Sequence, residues 1–133
     1  HTSYYIIDDK KKIIGQRRAR DLLSLKDIIK SCDIGLSTVV LEKNIIVRNK
    51  IKFPNLKTKE DFVFWLMLFK KDYKFYAYDK YLTNWSDVKN SLSSSTVQKL
   101  NDGFKVYNQY MDFNIFKSLY YLLCLSFNYL KKK

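Results

Sequence analysis

Several common sites are excluded by what the sequence lacks. With three glycines and one proline in 133 residues, long flexible linkers and a glycine-rich phosphate loop are both absent. The single histidine is His1. No metal-ligand spacing and no Gly-x-Ser-x-Gly nucleophile elbow occurs. Two cysteines, Cys32 and Cys124, lie far apart and outside any metal spacing. With no signal peptide in sight they read as reduced, structural thiols of a cytoplasmic protein. No internal repeat is visible, and the one low-complexity patch is SLSSS at 91–95.

What is present points to a packed core. Hydrophobic residues make up 47% of the chain and aromatics 17%, which excludes disorder. The length suits one domain or part of one, and the start, mid-pattern and without Met, fits a fragment. A net charge of +12 suits anionic partners: nucleic acid, acidic lipid head groups or a diphosphate. The lysines are scattered, which equally describes a solvated surface.

The centre of the pattern is KTKEDFVFWLMLF, Lys57–Phe69. Thr58 with Asp61 three residues later reads as a capping-box variant. The apolar run Phe62–Phe69 has no polar side, so the helix it forms is predicted to be buried all round. Glu60 and Asp61 fall in its first turn, where the helix dipole favours negative charge. An acid pair there serves as a cap or as a catalytic group, and spacing alone favours the cap, which needs no partner elsewhere in the chain.

Before that helix, Tyr4–Asp8 and Ile13–Arg17 read as a hairpin around Asp8-Asp9-Lys10-Lys11-Lys12. The aspartates there belong to a solvated turn rather than to a metal site. Arg17, Arg18 and Arg20 form a basic cluster able to meet phosphate or water. Ser24 and Asp27 start a short helix whose apolar side is Leu25, Ile28 and Ile29. Gly35 ends the break that follows, free to take positive φ. Leu36–Leu41 reads as a buried strand, Asn44–Asn49 as a short helical or irregular piece, and Phe53-Pro54-Asn55 as a loop.

Beyond the central helix, Phe75–Leu82 reads as a strand and Thr83–Ser95 as a polar loop. Val97, Leu100, Phe104, Tyr107 and Met111 step by three and four and predict one helix face over 96–111, with Asp102 on another. Ile115–Leu130 predicts a more apolar helix, followed by Lys131-Lys132-Lys133. Sixteen helical residues span about 24 Å, short of a ~30 Å hydrocarbon core. An interfacial helix at an anionic membrane surface and a helix packed on the domain both fit.

The run TKEDFVFWLML resembles the Glu-Asp motif of family-2 glycosyltransferases, in which an acidic pair precedes an apolar helix containing Trp-Leu. Further pieces follow in that family's order. TSYYIID (2–8) is similar to its strand after the metal site, and SCDIGLSTVVLEK (31–43) to its mid-domain strand. FYAYDKYLTNW (75–85) and NSLSSS (90–95) resemble the strand and loop beyond the Glu-Asp helix. The resemblance covers residues 2–95; the family's nucleotide-binding half, with its Asp-x-Asp motif, has no counterpart.

The resemblance implies an α/β fold. Residues 1–95 would be the C-terminal part of a GT-A-like domain, a mixed sheet flanked by helices, and 96–133 a helical extension. It implies an inverting transferase fragment, inactive alone, acting in polysaccharide or glycolipid assembly with a nucleotide-sugar donor and a sugar or lipid-linked acceptor. Asp61 would be the base and Glu60 its orienting neighbour. Lys89, Ser91 and Ser93 would meet the donor diphosphate or the acceptor. The family's divalent metal, Mg or Mn, would have no ligand in this chain. Its location would be cytoplasmic, peripheral at the inner face of the cell membrane. The competing reading is a basic, aromatic-rich module for nucleic acid or membrane. With lysines spread along the chain and no recognition-helix or RNP-like pattern, nucleic acid is not the expected partner.

Overall fold

A computed structural model describes residues 1–87 and 95–131. Strands β1 (Thr2–Ile7) and β2 (Ile13–Arg17) pair antiparallel, as the alternation around the charged turn predicts. Asp8 closes that turn: its Oδ1 accepts the N–H groups of Lys10 at 2.9 Å and Lys12 at 2.8 Å, while Lys11 takes φ 63°. An aspartate bonded to its own turn is a structural group, not a ligand.

Ser24 and Asp27 start α1 (Leu25–Ile28) as expected, with Asp27 accepting the Ser24 N–H at 2.8 Å and hydroxyl at 2.9 Å. These bonds from Ser24, with that of the Leu23 N–H, hold the Asp27 carboxyl below its ordinary range. The segment after α1 departs from expectation. Leu36–Thr38 is a 3-10 turn, and Leu36–Leu41 joins no β-ladder among the described residues. The carbonyl of Gly35 accepts both the N–H (3.0 Å) and the hydroxyl (2.7 Å) of Thr38, which curls the chain, and Val40 ends 95% exposed. Gly35 itself has φ −76°, so it is not needed for a left-handed turn. Space there is tight, since a Cβ would stand 3.3 Å from the ring of Tyr4, which would have to give by a few tenths of an ångström.

Helix α2 (Lys43–Asn49) leads through a loop to α3 (Glu60–Phe69). As the unbroken apolar run predicts, Phe62, Val63, Phe64, Trp65, Leu66, Leu68 and Phe69 of α3 are all buried, at the centre of the core. Phe75 packs on it edge-on to Trp65 and stacked on Phe69.

The strand beyond α3 is displaced. Phe75 makes an isolated antiparallel bridge with Leu22, through backbone bonds of 2.8 and 2.9 Å. β3 proper is Tyr78–Ser86, parallel to β1, giving a mixed sheet ordered β2-β1-β3. The buried hydroxyl of Ser3 on β1 fastens it. Ser3 donates to Asp79 Oδ1 of β3 at 2.9 Å and accepts the Ala19 N–H at 2.9 Å. Arg18 bonds the other Asp79 oxygen through Nε at 2.8 Å, and this pairing, with the bond from Ser3, holds the Asp79 carboxyl below its ordinary range.

Helix α4 (Thr96–Lys105) is capped by Ser95 and runs into a π-helical turn over Val106–Tyr110. That wider turn re-phases the helix. Val97 and Leu100, expected inside, are exposed, while Asp102, expected outside, is buried with Gly103, Val106, Tyr107 and Met111. Tyr107 donates to the Ile29 carbonyl at 2.7 Å, and burial pushes its phenol far above the ordinary range. Helix α5 (Ile115–Lys131) lies against this turn, with Tyr121 stacked on Tyr107. Gly103 permits the approach, because a Cβ there would come within 2.8 Å of a Leu122 methyl. The α/β class and flanked mixed sheet expected from the sequence are what is observed.

Candidate active site

Glu60 and Asp61 open α3, but not through the expected capping box. The N-cap is Lys59, in the left-handed region at φ 68°, and no side chain caps the helix. Thr58 turns the other way, its N–H and hydroxyl both donating to Asp102 Oδ2, at 3.0 and 2.8 Å. The position that a capping side chain would hold is taken by Lys59 instead of Thr58, whose hydroxyl proton goes to a partner 44 residues away. Asp61 in turn accepts the adjacent Phe62 N–H at 2.7 Å.

One Asp61 carboxylate oxygen is thereby engaged by its own helix. Asp61 is half-buried, and no cation lies within ion-pair distance of it among the described residues. Burial raises its carboxyl above the ordinary range and the neighbouring charge of Glu60 adds to the rise, against the Phe62 N–H and the Lys59 charge. A carboxylate so placed is a stronger base than a solvated one.

Tyr4 of β1 links this acid to the basic cluster. Its phenol is raised by burial, eased by the charge of Arg17, and raised further by Cys32, Asp33 and Asp61. Tyr4 and Arg17 are register partners across the hairpin. Above them Gln16, Arg17, Arg18, Arg20, Cys32 and Asp33 line a cavity of about 300 Å³. Arg18 is paired with Asp79, and Arg20 with Asp33 at 3.5 Å. The cluster is thus neither fully solvated nor an open row of cations.

The sequence singles out Asp61 and Glu60 as candidates and gives no sign of the bonds of Asp102 or of the place of Tyr4. Tyr4 was legible only as a strand residue. Asp102 carried no signal, since its partner Thr58 is remote in sequence and the helical period placed it outside. Lys89, Ser91 and Ser93 lie outside the described residues. Among the described residues no group of three or more His, Cys, Asp or Glu could hold a metal ion. The resemblance expects the ligands of its divalent metal to lie outside this chain. Cys32 and Cys124 form no disulfide.

No family model matches the chain, and no solved structure matches it. The chain is similar to a protein of Bacillus subtilis (strain 168) named "Putative teichuronic acid biosynthesis glycosyltransferase TuaG", with 27% identity over 115 residues. The match covers 86% of this chain and 45% of that protein, so the chain spans less than half the length of its relative.

Proposed function

We propose that this chain is the acceptor-side part of an inverting glycosyltransferase of family 2. It would move a sugar from a nucleotide-sugar donor to a sugar or lipid-linked acceptor in cell-envelope polysaccharide or glycolipid assembly. One observation carries the reading: Asp61 heads a buried helix with a raised carboxyl and no cation partner among the described residues. The printed name of the Bacillus subtilis relative supports the same class.

In the proposed step the acceptor hydroxyl oxygen attacks the anomeric carbon as the bond to the nucleoside diphosphate breaks. The hydroxyl proton passes to Asp61, which needs an ionised carboxylate within hydrogen-bond reach. Glu60 orients the acceptor and maintains the negative field that keeps Asp61 basic. Lys89, Ser91 and Ser93 are assigned to the donor diphosphate. The Mg or Mn that this reading expects would be held by residues other than those described.

Asp61→Asn in the complete protein tests the assignment. Asparagine keeps the size and the backbone bond but accepts no proton, so turnover should fall at least a hundredfold, within the ~10²–10⁴ that general bases contribute. Donor affinity should change little, and Glu60→Gln should lose less. Turnover of the Asp61→Asn variant above about a tenth of wild type would remove Asp61 from the role. The acid limb of the wild-type rate profile should sit above the ordinary aspartate range, following the raised carboxyl.

A further inference from the structure

Helix α5 has two apolar sides, and the fold uses one. Ser118 and Leu125 are buried against the domain, with Tyr121 and Leu122 beside them. On the other side Ile115, Phe116, Leu119, Leu123, Phe127 and Leu130 are all exposed, Phe116 by 84% and Leu123 by 70%. At 3.6 residues per turn these six fall within about 120° of arc, facing away from the buried side. They form one continuous stripe along the full length of the helix.

Cations border the stripe. Lys131 Nζ sits 4.6 Å from the ring of Phe127 and Lys99 Nζ 5.4 Å from that of Tyr129. Lys30 lies over the Tyr120 ring and donates to its hydroxyl at 3.3 Å. From Phe113 to Lys133 the sequence has no Asp or Glu. Apolar side chains in the middle, tyrosine hydroxyls and lysine ammoniums at the margins, and no acid match the polarity gradient of a membrane interface.

We propose that α5 seats this protein on an anionic lipid bilayer, lying in the interfacial plane with the Phe116–Leu123–Phe127 side in the acyl boundary. The charge pattern selects this occupant. A second copy would set the bordering lysines of two +12 chains against each other, which disfavours a dimer through this face. Spanning does not apply, because no helix among the described residues is long and apolar enough to cross a membrane. The helix is also pinned edge-on: Asn128 donates to the Lys30 carbonyl at 2.9 Å, and Leu125 is in the core, so α5 rides on the domain with its stripe outward. The inference is independent of the transfer reading.

Vesicle sedimentation of the 133-residue chain tests it. The chain should sediment with vesicles of three parts phosphatidylcholine to one part phosphatidylglycerol, not with phosphatidylcholine alone, and release in high salt. Leu123→Glu with Phe127→Glu should reduce partitioning at least about tenfold while circular dichroism and melting stay as in wild type, since both residues are exposed. In a separate Leu123→Trp chain, brominated lipid should quench the added indole fluorescence. Unchanged partitioning of the double variant, equal binding to neutral vesicles, or no quenching in the Leu123→Trp chain overturns the proposal. So does a sedimenting dimer that the double variant abolishes, which would make the stripe a contact between copies.

Discussion

Two aspartates 41 positions apart in sequence have their carboxyl pKa values moved in opposite directions by the groups around them. Asp102 is 1% exposed, yet its carboxyl lies below the ordinary range. Burial opposes its ionisation, and hydrogen bonds from Gln98 and Thr58 outweigh that, with Lys105 adding a little. Because folding lowers its pKa, Asp102 stabilises the fold above the unfolded carboxyl value, and the gain is lost as pH falls through the folded value. Asp102→Ala strands the Thr58 donors in a buried place and should cost about 2–3 kcal/mol in urea titration at neutral pH. A loss under about 0.5 kcal/mol would mean that the bond to Thr58 contributes little. Asp61 runs the other way. Its raised carboxyl costs stability as pH rises through the window between the unfolded and folded values, so Asp61→Asn should leave the fold as stable or more so at pH 7. Neither sign could be read from the sequence, where both appear simply as helix aspartates.

At the scale of elements, what was legible depended on whether the deciding contacts were local. The β1–β2 hairpin, the Ser24–Asp27 start of α1 and the buried α3 are set by residues within a few positions of each other, and all appear where expected. Leu36–Leu41 failed because a strand exists only with a partner, and Thr38 bonding back to Gly35 curls the chain instead. The face of α4 failed because a π turn cannot be anticipated from a period of 3.6. For α5 the period was right but left two sides to choose from, and only packing distinguishes them. That division is measurable. Leu125→Ala, on the packed side, should cost about 2–5 kcal/mol, whereas Leu123→Ala, on the exposed side, should stay within about 0.5 kcal/mol. Equal losses at the two positions would mean that the exposed stripe is packed in solution.

For the whole molecule the charge of +12 is the largest feature left to weigh against the core. In the ion pairs Arg18–Asp79, Arg20–Asp33 and Lys70–Asp112 the basic side chain is well exposed, so each contributes little. Screening such pairs costs almost nothing. Screening the mutual repulsion of the remaining lysines relieves a strain shared by the entire fold. Salt should therefore strengthen this protein: raising NaCl from about 0.02 to 0.3 M shortens the screening length from over 20 Å to under 6 Å. Its melting temperature should rise by about 2–6 °C, as a gain of roughly 1 kcal/mol would do in a domain of this size. Vesicle binding should move in the opposite direction over the same range, because there the lysines attract. A melting temperature that falls with salt would show that the charge is arranged in favourable pairs rather than spread. Attraction of α5 to an anionic surface would then come from Lys30, Lys99 and Lys131 alone, without a net field behind them.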